Sequence, residues 1–200
     1  SLPRRHVWEF VKPHALNGAG VPIVPANRSR CASAVVCDTL VVVGGSADDG
    51  KKWPGAWPSS GQKGPMADMW SFDFSKKWAW TPIRAHGELP MPAREGHSVV
   101  HAHTQVVWIF GGLDGAFEYR NDVWELDTNS SRLGPLMNQC ATCAAPSPRA
   151  LHAAASDGDG TMWVFGGERW SDVSADGEAS ADSRGAGLVY MNDLWRIRCR

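Results

Sequence analysis

Three times in this chain a short apolar run leads into a pair of glycines: LVVVGG (40–45), VWIFGG (107–112) and MWVFGG (162–167). After an intervening stretch, an Asp-x-Trp segment follows each of them: ADMW (67–70), NDVW (121–124) and NDLW (192–195). From Gly44 to Gly111 is 67 residues and from Gly111 to Gly166 is 55. Landmarks kept in one order at a recurring interval mark a repeat architecture, in which each unit hides its apolar side against its neighbours. That constraint outweighs every other feature of the sequence.

The units read as strands. Apolar runs of four to six residues, rich in Val, Trp and Phe, are bounded by Gly, Pro, Asn and Asp, and nothing sustains a long helical period. In the Asp-x-Trp segments the period is two. Trp70, Phe72 and Phe74 share one face, as do Trp124 with Leu126, and Trp195 with Ile197 and Cys199. Eleven Trp against two Tyr fits the same reading, because a buried Trp removes roughly 150–250 Å² from water, worth at most about 4–6 kcal/mol. Tryptophans recurring at matched positions are therefore expected to be core.

A further landmark precedes two of the glycine pairs. Pro-Ala-Arg94-Glu-Gly-His97 and Pro-Ser-Pro-Arg149-Ala-Leu-His152 each place an Arg 17 residues before the first glycine. The first unit is looser, with Arg28 or Arg30 upstream and Ser33 expected at the histidine's place. In order, Pro-x-x-Arg-x-x-His, apolar strand, Gly-Gly, Asn-Asp-x-Trp and a final short strand resemble the kelch motif, over nearly all of the chain from Trp8 to Arg200. The resemblance implies an all-β fold of kelch-type β-propeller blades, each of four antiparallel strands, in a partial array of about three blades. The units span about 28–84, 94–137 and 149–200, and VWEFV (7–11) reads as the outer strand of a preceding or closing blade. In the middle unit strands A to D are expected at about 97–103, 105–110, 122–127 and 132–137. Three blades fall short of the usual ring of 4–8, so a longer propeller, self-association or neighbouring subunits are expected to cover the open faces.

Recurrence separates architecture from chemistry. A catalytic group is needed once, whereas a structural group is needed in every blade. Gly44, Gly45, Gly111, Gly112, Gly166 and Gly167 lack the Gly-Lys-Ser/Thr and helix of a phosphate loop, and are expected to let the chain leave a strand where a Cβ is forbidden. Arg94, His97, Arg149 and His152 are expected to tie loops to the sheet, and Trp70, Trp124 and Trp195 to fill the core. Asp68, Asp122 and Asp193 are expected to accept hydrogen bonds in turns. His101 and His103 form a two-ligand motif with no completing carboxylate or Cys, and Cys140-Ala-Thr-Cys143 is half a zinc site or a loop clip. No metal or other cofactor is expected. Five Cys are too sparse for a disulfide scaffold.

Function is read from what does not recur. Strands that alternate in direction put the B–C and D–A connections on one face of the array, and the long segments 12–29, 46–66, 84–93, 138–148 and 168–190 fall there. Long connections on a rigid scaffold concentrate recognition, and that face carries Trp53, Trp57, Phe117, Tyr119, Arg169 and Trp170, residue types enriched in interface hot spots. A non-catalytic protein-binding module follows, with a structural subunit of a large multiprotein assembly as the alternative. A galactose-oxidase-like copper enzyme is the enzymatic reading the resemblance raises. It wants two Tyr, two His and a Cys converging at the centre, and Tyr119 and Tyr190 both sit in B–C connections. The charge of −1, with 20 Lys+Arg against 21 Asp+Glu, offers no basic stripe for nucleic acid, and no apolar run is long enough to span a membrane.

Overall fold

The computed structural model describes residues 10–11, 23–48, 62–75, 78–136, 144–171 and 187–198. They form an all-β array of antiparallel sheets, one main sheet per repeat, with a separate two-stranded ribbon in the first and third repeats. The first blade orders β1 (Ala32–Val36), β2 (Thr39–Val43), β5 (Met69–Asp73) and β6 (Ala79–Ile83) side by side. Between its second and third strands stands a separate two-stranded ribbon, β3 (Ser46–Asp48) with β4 (Gln62–Pro65). The second blade consists of β7 (Arg94–Glu95), β8 (Ser98–His103), β9 (Val106–Asp114), β10 (Tyr119–Asp127) and β11 (Arg132–Pro135). Here the ribbon is continuous with the sheet, because β9 and β10 run on past the glycine pair through a bulge between Arg120 and Val123. The third blade has β12 (Ala153–Ser156), β13 (Thr161–Phe165) and β16 (Leu194–Arg198), with a ribbon of β14 (Glu168–Ser171) and β15 (Gly187–Tyr190).

The connections expected as loops between strands B and C are thus partly paired backbone. Tyr119, Arg169 and Trp170 lie on strands, not in loops. Of the segment 7–11 expected as an outer strand, residues 7–9 fall outside the described residues, and Phe10 and Val11 carry no strand.

Strand alternation explains the packing. In β9, Val107 and Ile109 point to the first blade and join Val36, Val41, Val43, Met69, Trp124 and Leu126 in one apolar cluster. Val106, Trp108 and Phe110 point the other way and join Met162 and Val164 of the third blade, with Trp195 and Ile197 packed against them. The middle sheet is therefore covered on both sides, and its B strand reads as a continuous hydrophobic run for that reason. Trp108 is fully buried and its indole N–H donates to Glu125 Oε2 at 3.0 Å, so its one polar atom is satisfied. Trp124 is buried likewise, whereas Trp70 and Trp195 are half-buried.

Candidate functional site

The Pro-x-x-Arg segment and the Asp-x-Trp segment of each blade meet at its glycine pair. The Arg94 guanidinium, with no exposed surface, donates to the Gly111 carbonyl at 2.9 Å and to both Asp122 oxygens at 2.8 and 2.9 Å. Asp122 Oδ2 also accepts the Trp124 indole N–H at 2.6 Å. Arg149 repeats this on the Gly166 carbonyl and Asp193, and Trp195 donates to Asp193. In the first blade Arg28 takes the role, bonding the Gly44 carbonyl and Asp68, with Trp70 on Asp68. A planar guanidinium fork suits a bidentate carboxylate and a carbonyl at once. The three Asp are thus acceptors for a buried Arg and for their own Trp, a correction to the expectation of turn formers.

Charge follows from this geometry. Burial alone would raise the Asp122 and Asp68 carboxyls, yet the hydrogen bonds and charge of their Arg, with those of the Trp indoles, hold both below the usual range. At Asp193 the Arg149 hydrogen bonds dominate, and its carboxyl too is lowered.

The glycines are required by space as well as conformation. Gly112 has φ +98°, and a Cβ there would stand 2.8 Å from the Glu95 carbonyl oxygen and from His97 Cβ. Gly167 meets His152 Cβ in the same way, and Gly45 meets Cys31 Cβ. The first-blade counterpart of the histidines is therefore Cys31, and not Ser33. Of the two arginines expected upstream, Arg28 takes the clamp, one residue closer to its glycine than Arg94 and Arg149 are to theirs.

Each histidine reaches across a blade junction. The His97 ring packs on Gly44 and the His152 ring on Gly111. His152 Nε2 lies 2.9 Å from Ser98 Oγ, and its ring meets the edge of Phe110 at 5.0 Å. No described residue gives either His97 nitrogen a hydrogen bond of normal geometry, although the Val43 backbone is near enough to favour the charged form slightly. Burial, the Arg94 charge and His152 push His97 down to about 3, and burial with the Arg149 charge brings His152 to about 4. Both are neutral at physiological pH, locked into blade contacts and closed to substrate.

The ribbons carry exposed aromatic side chains. At the tip of the second, Asp114 is buried and accepts from the Ala116 and Glu118 amides and from Arg120. This tight turn holds Phe117 at φ +65° and 46% exposed. Tyr119 leans toward the third ribbon, where the Trp170 backbone comes within hydrogen-bonding reach of its hydroxyl. Burial and the nearby Glu168 carboxylate raise that hydroxyl's pKa. Trp170 is 53% exposed, and Arg169 is half-buried beside it. The structure thus brings Tyr119 and Trp170 together. Trp53, Trp57, Cys140 and Cys143 lie outside the described residues. Asp114 and Arg120 escaped sequence reading, although Asp114-Gly115 is a turn signal.

His101 and His103 are spent locally, on the Thr104 carbonyl and the Thr104 hydroxyl. Among the described residues no group of three or more His, Cys, Asp or Glu gathers as metal ligands, and no helix is long and apolar enough to cross a membrane. Tyr190 is 74% exposed at the base of its ribbon.

The profile of the KLHDC2/KLHL20/DRC7 kelch-repeats domain matches residues 6–167. The chain belongs to the kelch-repeat family. Its kelch architecture continues beyond the matched stretch, since β16 completes the third clamp at Asp193 and Trp195. The chain is similar to the dynein alpha chain of the flagellar outer arm of Chlamydomonas reinhardtii, at 38% identity over 91 residues, covering 44% of this chain and 2% of that protein. It is also similar to acyl-CoA-binding domain-containing proteins 5 and 4 of Arabidopsis thaliana. The first is 25% identical across 95% of this chain and 30% of that protein, and the second 27% identical across 59% and 20%. The chain therefore spans less than a third of each of these relatives.

Proposed function

We propose that this kelch array is a non-catalytic module that binds a protein partner through the face bearing the three ribbons. The observation that carries the reading is a division of labour. The described Arg, His and Asp side chains of the repeat motif are consumed in clamps and blade junctions, while Phe117 and Trp170 stand exposed above them. An exposed aromatic in a tight turn, Phe117, and one on a strand, Trp170, suit a hot-spot cluster, with Tyr119 between them. Trp53 and Trp57 are proposed to extend the same face.

A second reading, a structural subunit within a large assembly, is favoured by the similarity to the dynein alpha chain of a flagellar outer arm, where the matched stretch is a small part of a long protein. Crosslinking mass spectrometry on the native protein names the neighbours and the face they touch. With a partner in hand, Phe117→Ala and Trp170→Ala should each weaken binding by about tenfold or more, the scale of a hot-spot truncation. Unchanged affinity in correctly folded variants contradicts the face assignment.

A further inference from the structure

The outer strand of the first blade, β6, reads Ala-Trp-Thr81-Pro82-Ile83 and is followed by Arg84. Pairing register aligns it with the second blade. Pro82 stands opposite Trp70 and Thr81 opposite Ser71, while Pro135 stands opposite Trp124 and Gly134 opposite Glu125. The proline facing the clamp tryptophan recurs and belongs to the architecture. Thr81 and Arg84 do not recur, since the same count along the second unit gives Gly134 and Met137.

These one-off residues are available to an enzyme. Thr81, Pro82 and Arg84 are exposed. Ser71 Oγ donates to the Thr81 carbonyl at 3.3 Å, and among the described residues nothing bonds the Thr81 hydroxyl. None of the described ion pairs uses Arg84. The edge of β11 is bonded by His86, whose amide donates to the Ser131 carbonyl and whose carbonyl accepts from Leu133 N–H. No described strand or bridge adjoins the outer side of β6. The other hydroxyl residue followed by proline is Ser147, and it is spent at the third clamp. Its Oγ accepts from Arg149 Nη2 at 3.2 Å and donates to Met191 Sδ at 3.6 Å.

We infer that Thr81 is a phosphorylation site for a proline-directed kinase that also selects a basic residue three positions further on. Such an enzyme takes its substrate as an extended chain. Proline suits the position after the acceptor because it lacks the N–H that a dry pocket there would leave unpaired. Arg84 lies within reach of an acidic pocket about 10 Å along the chain, at roughly 3.3 Å per residue. The strand already holds Thr81, Pro82 and Ile83 extended and presents them at an edge. In the transfer, the bond from the γ-phosphorus of ATP to its bridging oxygen breaks and a bond from that phosphorus to Thr81 Oγ forms. ADP leaves, and the hydroxyl proton passes to the kinase's catalytic aspartate. The product carries about 1.5–2 additional negative charges at pH 7, on a different blade from Phe117 and Trp170.

The test incubates the folded full chain with a purified kinase of this specificity and MgATP, then reads intact mass and maps the site by tandem mass spectrometry. The peptide KWAWTPIRA, residues 77–85, is the unfolded control. One phosphate on Thr81 is expected, and none there in Thr81→Val. The initial rate should fall about tenfold in Pro82→Ala and about threefold or more in Arg84→Ala. Arg84 is exposed and lies outside the strand, so its variant carries the comparison if Pro82→Ala does not fold. A peptide that accepts phosphate while the folded chain does not would overturn the assignment, because the strand is then closed to the enzyme. So would no transfer to either, phosphate elsewhere with Thr81 unmodified, or an Arg84→Ala rate equal to that of the parent chain.

Discussion

Lowering the pH from 7 to 4.5 should unfold this protein through two histidines at its blade junctions. His97 and His152 are 6% and 9% exposed, and their folded pKa values are pushed from 6.5 to about 3 and about 4. Above pH 6.5 both are neutral whether the chain is folded or not, so they contribute no pH dependence. As pH falls below 6.5 the unfolded chain takes up two protons that the folded chain refuses, and stability falls. At pH 4.5 each has lost about two units, or roughly 2.7 kcal/mol at 1.36 kcal/mol per unit, which is about 5 kcal/mol for the pair. That equals the whole stability of a modest domain. Asp68, Asp122 and Asp193 act in the same direction but lower down, because their depressed pKa values stabilise the fold above about 3.8 and lose that contribution only below it. Urea unfolding followed by Trp fluorescence at pH 7.5, 6.5, 5.5 and 4.5 measures the slope, and His152→Gln should remove about half of it while keeping a partner for Ser98. A stability flat between pH 7 and 4.5, or a slope that His152→Gln leaves intact, refutes the placement of these rings between blades.

The clamp and the glycine pairs yield sharper local outcomes. Asp122→Asn leaves the fully buried Arg94 guanidinium without its counter-ion. With the Asp122 side chain 34% exposed, a destabilisation of roughly 2–4 kcal/mol is expected in chemical denaturation, somewhat below the range for a wholly buried pair. Gly112→Ala adds left-handed strain to two 2.8 Å clashes and should cost roughly 2–5 kcal/mol. Gly134→Ala, with nothing within 4 Å of its new Cβ, should stay within about 0.5 kcal/mol, and equal effects at the two positions contradict the clash argument.

How far the sequence reveals this fold depends on how local each signal is. The B strands and the glycine pairs were legible because apolar runs and strained turns are written within six residues. The structure sets the middle blade at 98–103, 106–114, 119–127 and 132–135, within a residue or two of expectation except where β9 and β10 outrun the glycines. Those ribbon extensions were not legible. Arg169 and Trp170 sit in a segment whose far strand begins at Gly187, and pairing across such a gap leaves no short-range trace. The role of Asp68, Asp122 and Asp193 was likewise hidden, since each bonds an Arg 28 to 44 residues earlier. Only the fold brings them together. Ser33 failed for a plainer reason: it lies three residues after Arg30, whereas the clamp uses Arg28, which puts Cys31 at the histidine's place.

At both described junctions a blade's apolar side is covered by the blade that follows it. Trp108 and Trp163 occupy the same position in successive blades, the first sealed under the third blade and the second open to solvent beside Arg196. Measuring the unfolding free energies of Trp108→Ala and Trp163→Ala against the parent chain puts that claim to a direct comparison. A loss of about 3–5 kcal/mol for Trp108→Ala with under about 1 kcal/mol for Trp163→Ala is the predicted result. Equal losses at the two positions would contradict it.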